Sequence, residues 1–223
     1  MTPTTAIVKG SIAFIALVSL GGCISFGDEQ SRVAVPGPKP LKIEVPAAGR
    51  VELVLANGDA TVVAAAIDHV EVSVTVRCPQ DSTRCRERAG NAKLTSINTT
   101  DSARFELAGS LGSGAEVTTR VRVPIDRALD VQMKYGALAI ENHAGDLNVQ
   151  MTAGDIDIKR PEHDIGAVDL RARFGDATLY NQAGAQEGRR PLLVGSTVEW
   201  VGDGRRSVAA RIRFGDIDLS LTD

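Results

Sequence analysis

The feature that most constrains this chain is the stretch from Lys134 to Arg160, which reads in nines as KYGALAIEN, HAGDLNVQM and TAGDIDIKR. Each block carries a glycine (Gly136, Gly145, Gly154), followed two and four places on by apolar residues. Those are Leu138 and Ile140, Leu147 and Val149, then Ile156 and Ile158. Alternation with period two gives an extended strand one buried face, and a glycine at each restart marks a sharp turn. Three short strands of one pattern, each too small to bury its own face alone, predict a stacked repeat. The beat returns at wider spacing: RARFGDATL (Arg171–Leu179) and RIRFGDIDL (Arg211–Leu219) agree at six of nine positions, forty residues apart. The expected fold is all-β, a single-domain β-solenoid or β-helix-like stack of short strands with Gly-Asp turns.

Composition agrees. Of 223 residues 43% are hydrophobic, enough for a core, while the aromatics are only five Phe, two Tyr and one Trp. Apolar weight on Val, Ile, Leu and Ala suits a narrow interior. The formal charge of −3 becomes −4 once residues 1–22, with one Lys and no acid, are set aside. With no basic patch and no RNA-type aromatic motif, nucleic acid is not an expected partner.

Residues 1–22 read as a signal peptide, with Lys9 in the n-region and an apolar run from Ile12 to Leu20 too short to anchor in a bilayer. The run ends in Leu20-Gly21-Gly22-Cys23, which resembles the lipobox of bacterial lipoproteins. That resemblance implies cleavage before Cys23 and acylation of Cys23, so the expected membrane contact is an N-terminal lipid anchor. Ile24, not Asp, follows the cysteine, which in the Gram-negative sorting pattern implies the outer membrane. With Cys23 lipidated, Cys78 and Cys85 remain in an oxidising compartment and are expected to form a disulfide. Residues 23–40, ending in three prolines within five positions, read as lipidated cysteine and tether. The expected β-strand-repeat domain covers 41–223.

Within that domain LKIEV, RVELVLA and DATVVAA read as short strands. Val70, Val72, Val74, Val76 and Cys78 share one face of the cleanest alternation. Asp81 or Ser82 is positioned to cap a short helix ending at Gly90. Lys93–Asp101, Ala103–Gly109 and Glu116–Val123 resume strand character. Residues 183–191 read as a polar loop, and Val198–Trp200 with Ser207–Ala209 as a hairpin around Gly202–Gly204.

Val121-Arg-Val-Pro124, the Val131–Gly136 strand and the units ending in Phe214-Gly-Asp-Ile-Asp-Leu219 resemble the bacterial "putative adhesin" domains of β-strand repeats. The resemblance spans roughly residues 50–221. It implies a β-solenoid of envelope proteins, often behind a lipoprotein or membrane anchor. Gly136-Ala137 departs from the pattern by lacking the aspartate.

Asp59, Asp146, Asp155, Asp176 and Asp216 invite a calcium reading, but each unit has one glycine and one aspartate where a calcium β-roll needs several. The preferred role is capping of the turn's own amides. Asp157, Lys159 and Asn148 invite a polysaccharide-cleaving reading; outward polar residues for solubility explain them more simply. His69, His143 and His163 lack ligand spacing, so no metal or other cofactor is expected. Tyr135, Phe174 and Phe214 each precede a glycine and are expected to pack over the turn, with an exposed ladder for sugars as the alternative. The expected function is that of a non-catalytic cell-envelope lipoprotein with an adhesin-like interaction or structural domain, its partner an envelope protein or a glycan. Two classes stay open beside it: an enzyme on envelope or extracellular polysaccharide, and a periplasmic sensor or assembly partner.

Overall fold

The alternating Val, Ile and Leu residues form strands through most of the described chain, residues 32–45, 49–108, 114–189 and 194–222 of this computed structural model. Cys23 lies outside those residues. In chain order the first elements are β1 (Arg32–Val35), β2 (Leu41–Glu44), β3 (Arg50–Asn57), β4 (Asp59–Ala65) and β5 (His69–Pro79). Then come α1 (Thr83–Asn91), β6 (Lys93–Asn98), β7 (Ser102–Ala108), β8 (Glu116–Pro124), β9 (Leu129–Glu141) and β10 (Leu147–Pro161). The last are β11 (Ile165–Phe174), β12 (Ala177–Asn181), β13 (Gly184–Glu187), β14 (Ser196–Val201) and β15 (Arg206–Thr222). The fold is all-β.

Each of β9, β10 and β15 is one strand of two arms, bent at a glycine. In β10 the buried positions are Leu147, Val149 and Met151 before Gly154, then Ile156, Ile158 and Arg160 after it. The parity switches from odd to even at the bend, so both arms turn their apolar side into one core. Gly58, Gly136, Gly154, Gly215 and Gly175 stand at this bend in five neighbouring rows, all with φ between +112° and +144°. A second requirement adds to φ. A Cβ on Gly154 would lie 1.8 Å from the Gly136 carbonyl oxygen, and one on Gly215 would lie 1.7 Å from that of Gly154. Backbones meet here at a distance only glycine permits.

The register offsets β10 from β9 by eighteen residues, because Leu147 faces Leu129 and Gly154 faces Gly136. The nine-residue beat is thus half of that offset, which corrects the reading of three equivalent short strands. Gly145 is not at the bend; it lies in the turn after β9, against the Arg127 carbonyl. Parallel strands need a crossover, and between β9 and β10 the second arm of β9 and the turn after it provide one.

Strand order departs from sequence order. Along the main path it is β1-β5-β8-β4-β9-β10-β15-β11-β14, with β3 beside β9 and β12 beside β15. The final strand enters between β10 and β11, in parallel register with both. The expected hairpin of Val198–Trp200 with Ser207–Ala209 does not form, because β11 separates β14 from β15 and pairs with each. Residues 183–191 hold β13, antiparallel to β12.

The first described strand begins at Arg32. β1, inside the stretch read as tether, pairs with β5, with Val33 opposite Cys78, and β2 pairs farther along the same strand. Ser82 caps α1, its hydroxyl accepting from the Cys85 amide at 3.3 Å. Cys78 and Cys85 form a disulfide, Cα–Cα 5.8 Å, joining β5 to α1 beside a small core of Val74, Val76, Ala89, Leu107 and Val117.

Candidate functional site

Because the rows at the glycine bend are in register, residues of one position stack into lines. The line before the glycine runs Asn57, Tyr135, Ala153, Phe214, Phe174. The line after it runs Asp59, Ala137, Asp155, Asp216, Asp176. Four of the five aspartates singled out in the sequence are therefore brought together; Asp146 is not, since it follows Gly145 in the opposite turn.

The aromatic line faces outward. Tyr135 is 53% exposed, Phe214 44% and Phe174 40%, so these rings do not pack over the turn. A strand alternates its side chains, and at the bend no core side remains for the residue before the glycine. Phe174 and Phe214 stack with centroids 5.1 Å apart and planes 9° from parallel. The Arg173 guanidinium lies 5.5 Å from the Phe174 centroid and that of Arg213 lies 5.2 Å from Phe214. Neither arginine forms an ion pair among the described residues, unlike Arg171 and Arg211, which reach Asp169. On the Lys134 side of the bend a depression of ≈ 300 Å³ is lined by Gln132, Lys134, Gln150 and Thr152.

The acidic line has a backbone role. The Ala137 amide donates to Asp59 Oδ1 at 3.3 Å, and the Asp176 amide donates to Asp216 Oδ1 at 2.8 Å. Each cap crosses to the neighbouring strand, which corrects the expectation that these carboxylates serve their own turn. Asp157 pairs with Lys159 at 3.0 Å and faces Asp218 across the strands. Burial, then the charges of Asp157 and Asp216, raise the Asp218 pKa. Asn148 lies on the other arm and donates to Asp130 at 2.8 Å, so the trio Asp157, Lys159 and Asn148 does not assemble.

The opposite turn holds a buried polar group that the sequence reading missed. Arg160 is fully buried and donates to the carbonyls of Gly145 (3.1 Å) and Ala144 (3.2 Å). Burial lowers its pKa to about 10. His143, also fully buried, donates from Nε2 to the Arg127 carbonyl at 2.8 Å, and burial lowers its pKa to about 4. Burial works against the Asp146 carboxylate, yet the Ser207 amide and hydroxyl and Arg206 outweigh it and hold its pKa low. These contacts tie turn to turn. One signal was available: Arg160 shares the parity of Ile156 and Ile158, an arginine on a core face.

A separate cleft of ≈ 730 Å³ lies along β2, β4, β5 and β8, lined by Leu41, Lys42, Thr61, Arg120 and Arg122. Its carboxylate, Glu71, accepts from Arg122 at 2.8 Å and pairs with His69 Nε2 at 2.8 Å. The hydrogen bonds from His69 and then Arg122 lower the Glu71 pKa, which fixes it as an anion. Those from Asp68 and Glu71 raise that of His69. Among the described residues no group of three or more His, Cys, Asp or Glu is placed to hold a metal ion.

No family model and no curated protein matches this chain. It is similar to a solved structure described as a "putative cell adhesion protein" from Clostridium sporogenes, at 10% identity and a TM-score of 0.48, covering 83% of this chain and 100% of that one. A second, a "putative adhesin" from Parabacteroides distasonis, has 9% identity and a TM-score of 0.22, with 83% and 99% covered.

Proposed function

We propose that this protein is a non-catalytic lipoprotein of the cell envelope, anchored through Cys23, whose β-solenoid-type, adhesin-like domain serves as an interaction module. The observation that carries the reading is the pair of lines at the glycine bend. Four aspartates stand in one row, and two of them, Asp59 and Asp216, accept amides of the next strand. Beside them stand three exposed rings, Tyr135, Phe214 and Phe174. Catalysis requires titratable groups held together against a walled substrate, and an open corner supplies no such wall. Constant eighteen-residue stacking of β10 on β9 supports the solenoid description, the lipobox supports the lipid anchor, and Ile24 after Cys23 supports the outer-membrane address.

The test is photo-crosslinking in cells from a probe placed at Tyr135, followed by mass spectrometry. Crosslinks to envelope components that disappear when the probe is moved to Gln80 support the module. Turnover of a polysaccharide by the wild-type domain, lost in the Asp155→Asn/Asp157→Asn double variant, refutes it. Cys23→Ala should move the protein from the detergent phase to the aqueous phase.

A further inference from the structure

The line Tyr135, Ala153, Phe214, Phe174 contains one gap, and the gap has a definite width. Phe214 and Phe174 fill adjacent rows and touch face to face. Between Phe214 and Tyr135 one row carries only a methyl group, Ala153. Strands lie about 4.8 Å apart, so the two aromatic rows flanking Ala153 are separated by about 9.6 Å. The stacked pair shows that one ring fills one row spacing, so the gap takes a single ring with a wall on each face. A pyranose, with axial C–H groups on both faces, meets both walls. The polar surroundings of the slot, not its width, favour a pyranose over an aromatic side chain.

Charge and polarity around the slot select further. Arg213, beside Phe214, and Arg173, one row on, carry guanidinium groups without a carboxylate partner among the described residues. Lys134 extends the same line of cations on the far side of Ala153. Guanidinium binds carboxylate in paired hydrogen bonds, which a neutral sugar cannot supply. The adjoining depression presents amide, hydroxyl and ammonium groups of Gln132, Gln150, Thr152 and Lys134, suited to sugar hydroxyls. The aspartate line lies past the bend on the second arm, with Asp155 two residues after Ala153 and Asp216 two residues after Phe214.

We infer that the Ala153 slot is a glycan-binding site that seats one uronic-acid ring of an acidic polysaccharide between Tyr135 and Phe214, its carboxylate on Arg213 and its neighbouring residues in the Gln132–Thr152 depression. The inference rests on the interaction-module reading and names its ligand class.

The test is calorimetric titration of the full chain with a galacturonate hexamer, with cellohexaose as the neutral comparator. The wild type binds the uronate at least tenfold tighter than the comparator. Phe214→Ala and Ala153→Phe each weaken uronate binding at least tenfold, the first by removing a wall and the second by filling the slot. Ala153→Phe continues an existing ladder, so its unchanged thermal midpoint separates lost binding from lost folding. Arg213→Gln removes the preference for the acid while leaving weak binding to both sugars. Equal binding of the two hexamers, or an Ala153→Phe variant that binds as the wild type does, overturns the inference. Capture of an aromatic peptide at the slot without uronate binding also overturns it and leaves the interaction-module reading standing. Cleavage of the hexamer would overturn that reading as well.

Discussion

Gly154→Ala isolates what holds neighbouring strands together at the bend. The added methyl would lie 1.8 Å from the Gly136 oxygen and 2.8 Å from its carbonyl carbon, at a φ of +127°. The φ alone costs about 1–3 kcal/mol for a residue with a Cβ. Relieving the contact requires β9 and β10 to part by about 1 Å or more at this row, the shortfall from a normal contact near roughly 3.2 Å. Parting breaks or stretches the flanking ladder hydrogen bonds, each worth about 1 kcal/mol. The sum is about 4–6 kcal/mol, a large fraction of the roughly 5–15 kcal/mol typical of a folded domain. Two controls divide the effect. Gly184 has φ +113° and nothing within 4 Å of a new Cβ, so Gly184→Ala should cost only the φ strain. Gly90, in α1, has neither problem, so Gly90→Ala should stabilise by roughly 0.5–1 kcal/mol. Urea unfolding followed by far-UV circular dichroism reads all three as midpoint shifts at constant slope. If Gly154→Ala costs no more than about 1 kcal/mol beyond Gly184→Ala, the worth of a single ladder hydrogen bond, the close-packed glycine row is refuted.

Val149 is fully buried, so Val149→Asp should cost at least about 3 kcal/mol, whereas Gln150→Asp on the exposed side should stay within about 0.5 kcal/mol; chemical denaturation compares them. His143 has a folded pKa of about 4 against an ordinary value of 6.5, so the unfolded chain binds the proton first. Stability is therefore full above pH 6.5 and falls by about 3 kcal/mol as pH drops from 6.5 to 4. His143→Gln should remove that part of the slope in denaturation curves taken across this range, and an unchanged slope would count against a neutral buried His143. Replacing Cys78 and Cys85 with Ala should cost about 2.5 kcal/mol, the loop-closure value for an eight-residue ring, and reductant should reproduce the loss in the wild type.

Alternation alone located most of the core. Leu138, Ile140, Leu147, Val149, Ile156 and Ile158 are all buried, as is the whole Val70–Cys78 row. Local chemistry was equally readable at Ser82, whose hydroxyl caps α1, and at the Cys78–Cys85 pair. These features depend on a residue and its near neighbours in the chain, so the chain order carries them.

Tertiary structure decided the rest. Gly145 and Gly154 look alike in sequence, but only Gly154 stands at the bend, because β10 pairs with β9 at an offset of eighteen residues and not nine. Periodicity states which side of a strand is buried and is silent about which strand lies beside it. Hence the matching segments at 171–179 and 211–219 carried no sign that β15 would enter between β10 and β11, or that β11 would part β14 from β15. The same limit left the order of the exposed rings, named in the sequence as a possible ladder, and the gap in it unread. Tyr135, Phe214 and Phe174 become a line, and Ala153 a gap in it, only when backbone hydrogen bonds set residues as distant in the chain as Tyr135 and Phe214 in nearby rows.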